Sequence, residues 1–210
     1  IERAQYLRRV ASRIRDNATR IARTLTEEQG KISSLAAVEV AFTADYMDYM
    51  AAWARRIEGE IITSDRPDEQ ILLLRKPMGV VVSILPWNFP FFLIARKMAP
   101  ALVTGNTLVI KPSEETPINC HLFTELLAQC ELPPGAFNVV YGQGTTGAAM
   151  ASHAGVDMIS FTGSVATGER IAAAAAPYIT KLNLELGGKA PAIVLADADL
   201  ALAVHAVRSS

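Results

Sequence analysis

Three features predict an α/β fold with a parallel sheet covered by helices on both faces. From Pro77 onward, short apolar runs alternate with helical patterns. Continuous apolar strands separated by helices are what a doubly covered parallel sheet requires. Ahead of that region, residues 2–60 carry helical patterning. Between the two, a pair of β-rich runs flanks Ser64-Asp65-Arg66-Pro67-Asp68, a turn-forming sequence. The expectation is a Rossmann-like sheet preceded by long helices and a β-hairpin.

The elements follow in order. Residues 2–29 read as one basic amphipathic helix that ends at Gly30, a natural C-cap. Ser33 or Ser34 can cap a second helix. Its residues Leu35, Val38, Phe42, Tyr46, Tyr49 and Trp53 step by three and four, which predicts one buried face with core aromatics. Asp45 and Asp48 flank that stripe and are expected to be solvated. Strands are predicted over 61–63 and 70–75. The alternating region then gives strands at 80–85, 107–110, 137–141, 158–161, 181–186 and 192–195. Helices are expected over about 91–102, 117–130, 146–152 and 165–175. This divides the chain into N-terminal helices (1–60), a hairpin (61–76) and a nucleotide-binding core (77–210). No repeat or low-complexity segment interrupts it.

The bulk properties narrow the function. With 210 residues, 50% of them hydrophobic, and a net charge of -1, the chain can bury a sizeable core and has no basic face for nucleic acid. Two cysteines are too few for a disulfide scaffold, so a reducing, cytoplasmic setting is expected. The chain opens with Ile1-Glu2-Arg3, without an initiator Met or a signal peptide. It closes on Arg208-Ser209-Ser210 within an unfinished helical pattern, so it reads as an internal piece of a longer protein. Residues 79–95 approach the length of a membrane span, but Pro86, Asn88 and Pro90 sit centrally, where lipid would leave the backbone unsatisfied. No membrane partner is expected.

Four stretches at strand ends carry the chemistry, and ligands of such sheets bind at the carboxyl ends of strands. In Ile84-Leu85-Pro86-Trp87-Asn88-Phe89-Pro90, a rigid two-proline turn holds one side-chain amide, suited to developing negative charge. Lys111-Pro112-Ser113-Glu114 places a cation and a carboxylate where they can grip two ribose hydroxyls. The carboxylate would repel a 2′-phosphate, favouring NAD over NADP. Phe161-Thr162-Gly163-Ser164 leaves a strand and opens a helix, an anion site for a pyrophosphate. Glu185-Leu186-Gly187-Gly188-Lys189 offers a carboxylate at an apolar strand end, a candidate general base whose pKa desolvation would raise. Each has a plainer reading on its own: Asn88 as cap of a helix starting near Pro90, Lys111 and Glu114 as a surface ion pair, Ser164 as an N-cap, Glu185 as a turn cap.

Other motifs are weaker. Gly142-Gln143-Gly144-Thr145-Thr146-Gly147 fits GxGxxG but lacks the acidic residue expected about 20 positions later. Cys120 and Cys130 lie on one predicted helix and read as small buried thiols. His153 and His205 have no partner residues, and no HxxxH or CxxC is present, so no metal is expected.

Taken together and in this order, the four stretches resemble the aldehyde dehydrogenase superfamily across the whole chain. The wording of residues 38–46 and 86–106 is most similar to its bacterial lactaldehyde/glycolaldehyde branch. The resemblance implies an NAD-dependent oxidation of a small aldehyde through a thiohemiacetal and a thioacyl-enzyme. It implies Asn88 as the oxyanion-hole amide and Glu185 as the base that activates water. Lys111 and Glu114 would hold the adenine-side ribose, and Ser164 would contact the pyrophosphate. Pro86 and Trp87 would border the nicotinamide half, with Gly144 and Leu186 completing the cofactor contacts. Arg96 would meet the hydroxyacid product. The hairpin would belong to an oligomerisation arm, in a homodimer or homotetramer. The family's nucleophilic cysteine falls downstream of Ser210 and matches neither Cys120 nor Cys130, so the fragment alone is expected to be inactive. A succinate-semialdehyde type, another aldehyde dehydrogenase or a non-catalytic nucleotide-binding relative are the alternatives.

Overall fold

A computed structural model describes residues 1–188 and 190–209. Lys189, the last residue of the fourth stretch, lies outside the described residues, as does Ser210. Three helices come first: α1 (Glu2–Asp16), α2 (Ala18–Gln29) and α3 (Ser33–Ala51). An antiparallel ribbon follows, β1 (Glu60–Thr63) paired with β2 (Gln70–Leu73). The remainder is the predicted alternation: β3 (Val80–Ile84), α4 (Pro90–Thr104), β4 (Thr107–Lys111), α5 (Pro117–Ala128), β5 (Phe137–Val139), α6 (Gly144–Ala151), β6 (Met158–Gly163), α7 (Val165–Ala175), β7 (Lys181–Leu186) and α8 (Leu200–Ser209).

The second sheet has five parallel strands in the order β5-β4-β3-β6-β7. The chain enters at the central strand, β3, fills one side through β4 and β5, and returns to fill the other through β6 and β7. Strand β3 shows why both faces must be covered. Val81 and the following Leu85 face a core built with α1, α3, α4 and α5, while Val82 and Ile84 face a second core built with α6 and α7. The period of two along a strand sends alternate residues to opposite layers. Gly79 leads into this strand at φ 122°, and a Cβ there would stand 2.1 Å from Asp157 Oδ2, which accepts the Val80 N–H. Glycine is needed at that position for both the dihedral and the space.

The structure corrects four expectations. The single helix over 2–29 is two helices, broken at Asn17 (φ −111°, ψ 13°), whose side chain donates to Arg13 O at 2.9 Å. An Asn amide that bonds the preceding turn competes with helix continuation. Gly30 does cap α2 in the left-handed region, but neither Ser33 nor Ser34 caps α3; Ile32 occupies that position without a side-chain bond. The predicted stripe on α3 faces outward, with Leu35, Val38, Phe42 and Tyr49 all exposed and Tyr46 half-buried. The buried face is Ala36, Glu39, Val40, Thr43, Ala44, Met47 and Ala51. Helix α3 packs against both α1 and α4, and small residues let helices approach closely. Because α3 is apolar nearly all round, periodicity alone did not choose its face. Residues 192–195 form no strand: they pair with no other segment among the described residues, and Ile193, Val194 and Leu195 are exposed.

Asp45 and Asp48 are surface groups, both paired with Arg15, at 2.9 and 2.7 Å. The suspect run 79–95 is a buried strand, a turn and the start of α4. Among the described residues no helix is long and apolar enough to cross a membrane.

Candidate nucleotide and acyl-transfer site

A cleft of about 510 Å³ opens at the carboxyl ends of the strands, where the sheet order reverses around β3. Pro86, Trp87, Lys111, Glu114, Gly144 and Ser164 all line it, so one site gathers residues spread over nearly 80 positions. Its apolar walls come from Ile84, Leu85, Phe161, Ile171 and Ala174, with Gly147 and Ala148 of α6 opposite. A Cβ on Gly147 would reach only ordinary contact distance, 3.6 Å, from Lys111.

Each polar group is held by its element. Lys111, the last residue of β4, is 3% exposed; its Nζ donates to Pro112 O at 2.9 Å and to Glu114 Oε2 at 3.2 Å. The Glu114 carboxyl is lowered from the ordinary carboxylate range, first by its own backbone N–H and then by Lys111, against some desolvation. Ser164 caps α7: its Oγ accepts the Thr167 N–H at 3.2 Å and donates to Thr167 Oγ1 at 3.0 Å. The plain N-cap reading therefore holds, and the same geometry aims the positive end of α7 at the cleft. Thr162 Oγ1 is buried in this wall with no partner among the described residues. An orphaned hydroxyl beside a helix N-terminus and a buried ammonium supply donors, and a carboxylate supplies an acceptor, a set that fits a nucleotide's phosphates and ribose hydroxyls. Leu186 stands apart, its side chain packed over Gly168 of α7.

Asn88 lies on the turn between β3 and α4 and is exposed. It does not cap α4. Phe89 occupies the N-cap position without a side-chain bond, Pro90 is at the first helical position, and the N–H groups of Phe91 and Phe92 both donate to Glu39 Oε1 at 3.0 Å. Glu185, the penultimate residue of β7, is half-buried. Its carboxylate acts electrostatically on Lys97 of α4, which is 6% exposed. Burial lowers the Lys97 pKa to about 8, the nearby Arg96 cation contributes to the lowering, and Glu185 opposes it. Arg96, at the surface of α4, also acts on Tyr46.

Sequence reasoning missed Glu39, Lys31, Gln29 and Lys97. A signal for Glu39 was present: it stands among Ala36, Val40 and Thr43, a carboxylate within a small-residue face. Both cysteines are buried, Cys120 with its pKa pushed up to about 12 by burial and Cys130 also raised. Among the described residues no group of three or more His, Cys, Asp or Glu could hold a metal ion.

The fold and cleft define a parallel α/β domain whose strand-end cleft suits a nucleotide. The profile of the aldehyde dehydrogenase family matches residues 1–210, and the chain belongs to that family. It is 61% identical to lactaldehyde dehydrogenase of Escherichia coli (strain K12), covering 100% of this chain and 44% of that protein. A crystal structure of lactaldehyde dehydrogenase from Escherichia coli superposes with a TM-score of 0.94 over 98% of this chain and 43% of that one. Mitochondrial succinate-semialdehyde dehydrogenase of Arabidopsis thaliana is 45% identical over 97% of this chain and 39% of its own length. A betaine aldehyde dehydrogenase mutant from Staphylococcus aureus, solved in complex with NAD+, gives a TM-score of 0.92 at 38% identity, covering 97% of this chain and 42% of that one. The chain thus spans less than half the length of the relatives it matches.

Proposed function

We propose that the longer protein to which this chain belongs oxidises a small aldehyde, lactaldehyde or glycolaldehyde, to its acid with NAD. The observation that carries the reading is the convergence of Lys111, Glu114, Ser164 and the orphaned Thr162 hydroxyl on one cleft, with Asn88 on the turn after β3 and Glu185 near the end of β7 in the same sheet. Lys111 and Glu114 hold the adenine-side ribose, and Glu114 disfavours a 2′-phosphate. Ser164 and the start of α7 receive the pyrophosphate. Pro86 and Trp87 border the nicotinamide half and Gly144 lines the cleft, while Leu186 lies outside it, packed over Gly168 of α7. NAD, when bound, supplies the hydride acceptor.

The remaining residues handle charge and protons. The Asn88 amide donates to the oxyanion that forms when a thiolate attacks the aldehyde, an interaction whose loss costs about 10²–10³ in rate. Glu185 takes the proton from the water that hydrolyses the thioacyl-enzyme. Arg96 offers a cation to the product carboxylate. The nucleophilic cysteine lies outside this sequence, since Cys120 and Cys130 are buried and held protonated. The 210-residue chain alone is therefore inactive.

The three-part organisation follows: helices over 1–60, a hairpin over 61–76 acting as an oligomerisation arm, and the core over 77–210. The ribbon exposes both faces, with Ile61 at 79% on one and Ile71 at 46% on the other, and an isolated two-stranded ribbon is marginal in water without a partner. A homodimer or homotetramer in the cytoplasm supplies one. A cation at Arg96 also suits a semialdehyde that carries its own carboxylate, which keeps succinate semialdehyde as the second substrate.

The test is NADH production by the full-length protein with lactaldehyde, glycolaldehyde and succinate semialdehyde, beside an Asn88→Ala variant. NAD-selective oxidation that collapses in the variant is expected. A folded, NAD-binding protein that oxidises none of them would overturn the reading in favour of a non-catalytic relative.

A further inference from the structure

Asn88 makes no side-chain hydrogen bond among the described residues, so its aim is set by the backbone that carries it. That backbone is gripped from two sides by groups 49 to 59 positions earlier in the chain. On one side, Gln29 Nε2 donates to Trp87 O at 2.8 Å and to Asn88 O at 2.7 Å, and Lys31 Nζ donates to Asn88 O at 3.0 Å. Lys31 also stands 4.1 Å from the centre of the Phe89 ring. On the other side, one oxygen of Glu39 receives the N–H groups of Phe91 and Phe92, which begin α4. The two grips are one unit, because Lys31 Nζ donates to the second oxygen of Glu39 at 2.5 Å.

The burial of this unit argues that it fixes geometry. The Glu39 side chain is 0% exposed and that of Lys31 is 11% exposed. A buried ion pair is weak evidence for net stability, because desolvation offsets its Coulomb gain. Its bearing on geometry is direct, because neither charge can relocate without leaving the other buried and unpaired. Here the pair spans the two ends of a short turn, Asn88 at one end and Phe91 at the other.

We infer that Glu39, coupled to Lys31, is a positioning residue for the Asn88 amide. The inference rests on the oxyanion role proposed for Asn88. Removing the Glu39 carboxylate frees the first N–H groups of α4 and leaves the Lys31 ammonium without its partner. The turn loses one grip and weakens the other, and the amide no longer points at one place.

A double-mutant cycle in the full-length enzyme tests this. Glu39→Ala is expected to lower kcat about 10- to 100-fold, a share of what loss of the amide donor costs, with NAD affinity by fluorescence titration within twofold of wild type. In an Asn88→Ala background the same change is expected to cost nothing further, since a positioning residue matters only while the positioned group is present. Glu39→Gln retains an oxygen for the two N–H groups but turns an amide N–H2 toward the Lys31 ammonium, and is expected to regain only part of the rate. Lys31→Met, read in the same cycle, serves where Glu39→Ala does not fold. Full kcat in the folded variants, or losses that add to that of Asn88→Ala, would overturn the inference while leaving the Asn88 assignment intact. An Asn88→Ala enzyme with undiminished kcat would instead remove the oxyanion reading on which it rests.

Discussion

Replacing Lys97 by Met should stabilise the chain, by an amount that depends on pH. Lys97 is 6% exposed, and burial pulls its pKa from 10.5 to about 8. Below pH 8 the amine is charged in both folded and unfolded chains, and the folded chain bears the full cost of burying an ammonium. Between about 8 and 10.5 the unfolded chain binds more protons than the folded one, so wild-type stability rises with pH across that window. At 1.36 kcal/mol per pH unit, the gap of about 2.5 amounts to about 3 kcal/mol. Met matches the length of the aliphatic stem and carries no charge. Lys97→Met is therefore expected to be more stable at pH 7 by about 3 kcal/mol, the advantage shrinking toward zero near pH 10.5. Urea unfolding followed by the fluorescence of Trp53 and Trp87, the chain's two tryptophans, measures it at pH 7, 8, 9 and 10. A stability difference between the two proteins that stays flat across those pH values would refute the reasoning, because every other titrating group is common to both.

Two further outcomes follow. Glu114→Gln should cut the ratio of kcat/KM for NAD over NADP in the full-length protein about tenfold, since it removes the negative charge that opposes a 2′-phosphate; an unchanged ratio would place the ribose elsewhere. Cys120, with its pKa near 12, is expected to resist iodoacetamide at pH 8, where only about 10⁻⁴ of it is thiolate, and to react in urea. Mass spectrometry reads both states, and alkylation of the native chain would refute the assignment of a buried structural thiol.

The alternation of strands and helices after Pro77 was legible because a doubly covered parallel strand writes its burial into consecutive residues, as Val80 to Ile84 do. The grouping of Lys111, Glu114 and Ser164, proposed above to hold the cofactor, was legible for a related reason: they follow strand ends, and a topological rule brings such ends to one cleft. Helix α3 was misread because its sequence offers two apolar faces, and only contact with α1 and α4 selects the one with Ala36, Val40 and Ala44. Residues 192–195 were read as a strand from composition, yet a strand exists only with a partner, and these residues pair with none. Glu39 and Lys97 stayed hidden because their meaning depends on burial. In sequence, a Glu or a Lys on a helix reads as a solvated charge.

A physical reason links the hidden glutamates to the visible amide. Helices α4 and α5 both begin with a proline, Pro90 and Pro117, which has no N–H to offer. The next two N–H groups in each helix then lack partners, and neither N-cap residue, Phe89 or Thr116, makes a side-chain cap bond. In each case one carboxylate from the N-terminal helical layer takes both. Glu39 accepts from Phe91 and Phe92, while Glu28 accepts from Ile118 at 2.5 Å and from Asn119 at 3.1 Å. An Asn two residues before a helix-opening proline would ordinarily be drawn into capping, its side chain turned back onto the helix. With the cap supplied from α3, the Asn88 side chain is released from that duty and stands in the open beside the cleft. The layer over 1–60 thus does more than cover the sheet: it supplies the caps that leave the strand-end turns, and the amide on one of them, free for a ligand.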